Sequence, residues 1–420
     1  MRAAVFALVL GLSFSARAAT LKELLEAAER NNVDRRISAE QRRRAATELS
    51  QAWSALLPGV AAQGGWTHNQ YPAEVQLGPG RDPIVIVPRN QLDATLRVEL
   101  PLVDTARWFR AAAADALEEG AGYRDALVRD NVARQVATTY YSYAAALSLR
   151  GSARRSLEVA EAQLRLQEIR LGAGAATELE LLRSRAEQQR ARQTLTDTEV
   201  LVANTRRALR TLTGVEVDEA TSLPEDVTAA ESTLEELEAR TEELPAVKAA
   251  EKDAEAAGIS ARAARFVLVP NITAHFTERL TNATGFNGQA SSYTTGLGLA
   301  WRLDASTLFN MSVQSSNAAI ASLAAERQRL SSRDQIHNDW QRLNASIAKL
   351  AAARTQVESA QRATKLAQDR YAAGAATQLD VIQAERDLFS AEVNHIQSRT
   401  ELASSRVSLR LSAGLPPLTE

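Results

Sequence analysis

The residues able to do chemistry in this 420-residue chain are few, and their spacing does not suit catalysis. The four histidines, His68, His275, His337 and His395, stand far apart, with no metal-ligand spacing among them. Cysteine is absent, which removes disulfides, thiolate metal sites, cysteine nucleophiles and lipid attachment through a cysteine. No His-Glu-x-x-His or Gly-x-Ser-x-Gly pattern occurs. Gly172-Ala-Gly174 follows a helical stretch and lacks a third glycine, so it does not read as a phosphate loop. The carboxylates with a definite place are Glu180 and Asp380, each three residues after a threonine, Thr177 and Thr377. That spacing is a capping box, in which the threonine and the acid satisfy each other's free backbone N–H groups at a helix start. No catalytic constellation, cofactor motif or metal cluster emerges, and the chain is read as a non-enzyme without a cofactor.

These two caps belong to an internal repeat. Arg170-Leu-Gly-Ala-Gly-Ala-Ala-Thr-Glu-Leu-Glu180 matches Arg370-Tyr-Ala-Ala-Gly-Ala-Ala-Thr-Gln-Leu-Asp380 without gaps. The same register continues through Arg206/Arg406, Leu209/Leu409, Arg210/Arg410 and Gly214/Gly414. Each repeat centre reads as the tip of a helical hairpin. Gly172 and Gly174 in one copy, and Gly374 in the other, can take the left-handed conformation that ends a helix. A connection of about four residues forces the two helices to run antiparallel.

The flanking helices are expected over about 106–171 and 306–371, neither containing proline, each roughly 100 Å long at the α-helical rise. Return helices are expected over about 177–213 and 377–412. Leu379, Ile382, Phe389, Val393, Ile396, Ala403 and Val407 keep the spacing of a coiled-coil seam, interrupted by the charged Arg386. Helices of this length need neighbours along them, from the same chain or from others.

Between the helices the period changes to two. Residues 60–67, 93–100, 272–277 and 294–303 alternate apolar and polar side chains and read as strands of about ten residues, the length of a tilted membrane strand. Trp66 and Trp301 would stand in an aromatic girdle. Alternation alone is also compatible with a half-buried soluble sheet. Long polar linkers are expected over 69–89 and 282–291, and Pro58 and Pro270 stand where a helix must stop. Four strands cannot close a barrel, and lipid tolerates no open sheet edge, so several chains must contribute; three would give twelve strands.

The N-terminus reads as a secretory signal: Arg2, an apolar run over 3–14, and Ala16-Arg17-Ala18 as the cleavage site. Lys+Arg number 49 against 51 Asp+Glu, which argues against a nucleic-acid partner. The expected organisation is a signal peptide (1–18), a first repeat (19–213, tip 172–176), an acidic equatorial linker (214–244), a second repeat (245–414, tip 373–376) and a tail (415–420).

The duplicated Arg-x-x-x-Gly-x-x-Thr-x-Leu-Asp/Glu tips, the Leu57-Pro58 and Val269-Pro270 leads into strands, and the exits Leu100-Pro101-Leu-Val-Asp104 and Trp301-Arg-Leu-Asp304 resemble the TolC-like outer-membrane efflux family. The resemblance covers nearly the whole mature chain. It implies a mainly α fold with a small β part: long antiparallel hairpins forming a periplasmic α-barrel, and four strands per protomer in a trimeric twelve-stranded barrel in outer-membrane lipid. It implies a passive exit duct for efflux or type I secretion, a periplasmic adaptor (membrane fusion) protein docking at the tips, and an inner-membrane pump of RND or ABC type. The tips are Gly172, Gly174, Ala175, Ala176 and Thr177, and Gly374, Ala375, Ala376 and Thr377; their small side chains would let another protein's hairpin approach closely. Asp380 matches a constriction carboxylate of some members, with Gln383 in the next such place and Glu180 its counterpart in the first repeat. Ala376 occupies the place of a basic residue that links hairpins in others. The competing reading from a different class is a periplasmic or surface coiled-coil scaffold without a pore, which leaves the four alternating segments unexplained.

Overall fold

The computed structural model describes residues 20–80, 82–217, 231–301 and 304–418. The expected signal peptide, part of the acidic linker, and Arg302 and Leu303 of the last strand exit lie outside them. The elements in order are α1 (Leu21–Asn31), α2 (Val33–Ser54), β1 (Gly59–His68), β2 (Ala73–Val75), β3 (Ile84–Val87), β4 (Asn90–Val103), α3 (Thr105–Gly172), α4 (Glu178–Thr213), α5 (Leu234–Ala239), α6 (Pro245–Phe266), β5 (Asn271–Thr281), β6 (Ser291–Ala300), α7 (Ala305–Ala372) and α8 (Gln378–Ser412). Short 3₁₀ turns follow α5 and precede β6. Among the described residues no helix is long and apolar enough to cross a membrane.

The chain divides into two compact units, each drawing on both repeats, and α3 and α7 contribute to both. One unit, residues 40–124 and 246–329, carries the sheet. Its four strands are antiparallel in the order β1-β4-β5-β6, so the two repeats join through β4 and β5 while β1 and β6 are the edges. Residues directly opposite one another share a face. One face holds Val60, Trp66, Leu92, Leu96, Val98, Phe276, Leu297 and Leu299. The other holds Gln63, Thr95, Arg97, Asp93, Arg279, His275 and Thr294. On the polar face Arg279 pairs with Asp93 at 2.7 Å across strands. The His275 ring lies over the neighbouring strand where Gly296 leaves space: a Cβ there would stand 2.8 Å from its Cε1. On the apolar face the charged residue is Glu278, opposite Leu96 and Tyr293, which accepts a hydrogen bond from Ser291. In the same unit α3 packs on α6 through Phe109 and Phe266 and through Ala116, Ala256 and Ile259, with Lys252 bonded to Glu119 at 2.6 Å.

Three expectations need adjusting here. The linker 69–89 is not only loop: β2 and β3 pair within it as a small hairpin, since Ile84-Val-Ile-Val87 is a β-branched run of strand-forming residues. The fourth strand ends at Ala300, so Trp301 stands just past it rather than within it. The strand also starts earlier than its alternation, at Ser291, because Ser291 and Ser292 pair with Leu280 and Arg279.

The second unit, described over 20–39, 125–217, 231–245 and 330–418, contains the hairpin ends of α3/α4 and α7/α8. Its main apolar core gathers Leu21, Leu24 and Ala28 of α1 with Val132, Val136 and Tyr143 of α3, Val202 and Leu209 of α4, and Val407 and Leu411 of α8. Helix α1 starts on its own capping box, Thr20 with Glu23. Asn31 and Asn32 side chains donate to the Thr213 and Leu212 carbonyls at 3.0 and 3.1 Å, satisfying free groups at the end of α4. Arg35 joins Glu29 (2.8 Å) and Asp125 (2.7 Å). Arg406 and Arg410 both hold Glu231, at 3.3 and 3.2 Å.

Candidate pore-gating tips and barrel wall

Both tips are built alike. The helix α3 ends in a Schellman motif: Ala175 N–H donates to the Arg170 carbonyl (2.8 Å) and Gly174 N–H to Leu171 (3.0 Å). In the second copy Ala375 donates to Arg370 (2.8 Å) and Gly374 to Tyr371 (3.1 Å). Gly174 and Gly374 take φ of 72° and 73°, where a Cβ is disfavoured. Gly172 does not: it is the last helical residue of α3, and Ala372 fills the same place in the second copy. Five residues, 173–177 and 373–377, separate the helices.

Thr177 and Thr377 cap α4 and α8 as read from the sequence. Glu180 accepts from the Thr177 N–H at 2.7 Å, and Asp380 accepts from the Thr377 N–H and hydroxyl, both at 2.7 Å. The backbone bonds, then the threonine hydroxyls, hold both carboxyls below the usual carboxylate range, so both are charged near neutrality. Asp380 and Gln383 are exposed and Glu180 is half-buried. Gln383 donates to Asp387 one turn on, at 3.0 Å. Gly172, Gly174, Ala175, Thr177, Gly374, Ala375 and Thr377 are exposed, with Ala176 and Ala376 partly covered.

The tips meet through polar contacts that sequence reasoning missed. Gln167 and Arg170 of α3 donate to the Tyr371 hydroxyl of α7 at 2.8 and 2.7 Å, and the Arg170 guanidinium lies 4.9 Å from the Tyr371 ring centre. Gln378 of α8 donates to the Glu180 carbonyl of α4 at 3.0 Å and to Ser184. The signal was the departure from the repeat itself: Leu171 against Tyr371 and Glu178 against Gln378. The charged seam position is explained as well. Arg386 forms a forked pair with Glu187 of α4, with Nε 3.1 Å from each carboxylate oxygen. Farther along, Arg155 of α3 meets Glu392 of α8 at 3.1 Å. The seam is buried or half-buried at Ile382, Phe389, Val393, Ile396, Ala403 and Val407, while Leu379, at its start, is exposed.

Trp66, Leu96, Phe276 and Leu299 are 66%, 43%, 37% and 68% exposed, so these side chains are not the core of a self-contained globule. Among the described residues no group of three metal-ligating side chains comes together.

One chain thus carries a two-faced, open-edged β-sheet and twin helical hairpins. The model of the outer membrane efflux protein family matches residues 24–215 and 237–415, and the chain belongs to that family. It is therefore an outer-membrane efflux channel protein of the kind that carries a large periplasmic helical tunnel. No functionally curated protein matches the sequence. Among solved structures, a membrane protein from Pseudomonas aeruginosa superposes with a TM-score of 0.80 at 22% identity, covering 95% of each chain. The outer membrane protein VceC of Vibrio cholerae gives 0.79 at 18% identity, covering 95% of this chain and 97% of that one. The Campylobacter jejuni CmeC outer membrane channel gives 0.80 at 16%, covering 96% and 90%.

Proposed function

We propose that three copies close their sheets into one twelve-stranded barrel and serve as the passive exit duct of a tripartite export machine. The observation that carries this reading is the pair of unpaired edges, β1 and β6, on a sheet whose apolar face is exposed. In lipid those edges must pair, and a second copy offers the matching strand. An exposed stripe on α7 supports the same partner: Phe309, Val313, Ile320 and Leu323 follow heptad spacing without cover in the single chain. The polar sheet face, with its compensated Asp93–Arg279 pair, then lines water.

The tips 172–177 and 374–377 dock a periplasmic adaptor protein. Their small, exposed side chains leave room for an approaching helical hairpin, and that docking parts the hairpins. Three copies of Asp380, with Gln383 and Glu180 nearby, line the periplasmic constriction; carboxylates held ionised by their caps favour cations there. Trp66 and Trp301 mark the two rims of the lipid band. Energy comes from an RND- or ABC-type pump in the inner membrane. The signal peptide is removed after Ala18. Heat-modifiable, detergent-resistant trimers and discrete single-channel steps in planar bilayers are the expected results. A monomer without conductance would instead support a poreless scaffold.

A further inference from the structure

Between the two hairpins, above the tips, α3, α7 and α8 line a partly open cavity of about 220 Å³. The residues that line it include Ser152, Thr364 and Phe389 and two acids, Glu385 and Glu392. Glu392 has its cation: Arg155 stands 3.1 Å away. Glu385 is held differently. Its bonded neighbours are the neutral amides of Gln368, at 3.3 Å, and Gln163. The adjacent Arg386 turns to Glu187 on α4, so its charge is already matched. The charged groups around Glu385 are thus Glu187, which both Arg386 and Arg190 hold, and Glu392 with Arg155. Among the residues that line the cavity, two carboxylates, Glu385 and Glu392, stand against one cation, Arg155.

We propose that this cavity is a binding site for a small organic cation, with the Glu385 carboxylate as counter-ion and the Phe389 ring as its aromatic wall. A carboxylate beside an aromatic face is the combination that recognises an ammonium group on an apolar body. The volume lies below that of pockets for drug-sized molecules, which restricts the ligand to one ring or a short alkyl body. Burial first, and then the Glu187 charge, push the Glu385 carboxyl above the usual range; a bound cation relieves both by supplying opposite charge. The site is separate from the tip carboxylates, which are already satisfied by their own caps. It also stands apart from the duct reading, because binding can be measured without transport.

Calorimetric titration of the full-length protein in detergent with benzyltrimethylammonium tests it, with phenylacetate as the anionic control. Saturable binding at one site per chain is expected for the cation alone. Glu385→Gln should weaken it at least tenfold, Phe389→Leu by roughly threefold to tenfold, and Glu40→Gln, at an exposed carboxylate of the other unit, should leave it unchanged. In the unaltered protein, affinity should fall with falling pH, starting above the usual carboxylate range, because protonating Glu385 removes the counter-ion while Glu180 and Asp380 stay charged. No saturable binding, full affinity in a folded Glu385→Gln protein, loss on Glu40→Gln, or a flat pH profile would each overturn the proposal.

Discussion

At the residue scale, the two copies of one motif act as controls for each other. Gly172 is helical and Gly374 is left-handed, although both are tip glycines, and the repeat explains the difference through Ala372. Gly172→Ala should therefore be neutral or slightly stabilising. Gly374→Ala should cost about 1 kcal/mol, because it forces a Cβ into a positive-φ position. Paired thermal melts would read the contrast, and equal effects would refute it. Removing the cap with Thr177→Ala should likewise cost about 1 kcal/mol. The acids in these caps have a pH signature. Their folded-state pKa values are depressed, so the stability they lend is complete above the unfolded carboxyl range. It is lost as the pH falls through the lower, folded value. What the sequence revealed at this scale was local chemistry: a threonine, an acid three residues on, a glycine ahead. What it hid was the partner of Gln378 or Tyr371, because such contacts lie about 200 residues away in the chain.

At the element scale, the hairpins touch through polar groups where an apolar seam would be the default. Gln167 is fully buried, and its amide donates to the Tyr371 hydroxyl. Tyr371→Phe leaves that donor without its partner and should destabilise by about 1–3 kcal/mol, measured by denaturant melts with the slope checked for constancy. Glu385 gives the opposite sign. Its carboxyl is raised, so the favourable contribution of the protonated form is present below the unfolded pKa and disappears as the pH rises through the folded one. Glu385→Gln should therefore raise the melting temperature near pH 8, with the gain vanishing toward about pH 4. A loss of stability at pH 8 would show that the ionised group is held by more than Gln163 and Gln368. Helix lengths and strand positions were legible, since periods of 3.5 and 2 persist over many residues, and proline marks the junctions at Pro58 and Pro270. The small β2/β3 hairpin was not, because three- and four-residue strands are too short to display a period.

At the scale of the whole molecule, the two faces of the sheet should respond oppositely to one change. Leu96→Arg puts a cation in the apolar row, which faces lipid on the proposed closure and where it should cost about 2–4 kcal/mol at mid-depth, whereas Thr95→Arg puts it on the polar face and should be tolerated. The yield of detergent-resistant oligomer in outer-membrane fractions would distinguish them; equal yields would mean that the faces are assigned wrongly. Copy number is what a single chain leaves least visible. Composition and repeat reveal the subunit's parts, but the proposed closure would depend on the angle between one copy's β6 and the next copy's β1. That angle arises from twist and side-chain fit across the junction.

The raw margins of the sheet also constrain biogenesis. A lone subunit reaching the bilayer would expose two rows of unpaired amides and carbonyls to hydrocarbon, a penalty that a solitary molecule has no means of removing. On the proposed closure, entry into lipid and union with its siblings would be a single event, and the ring would arise at the membrane all together or not at all.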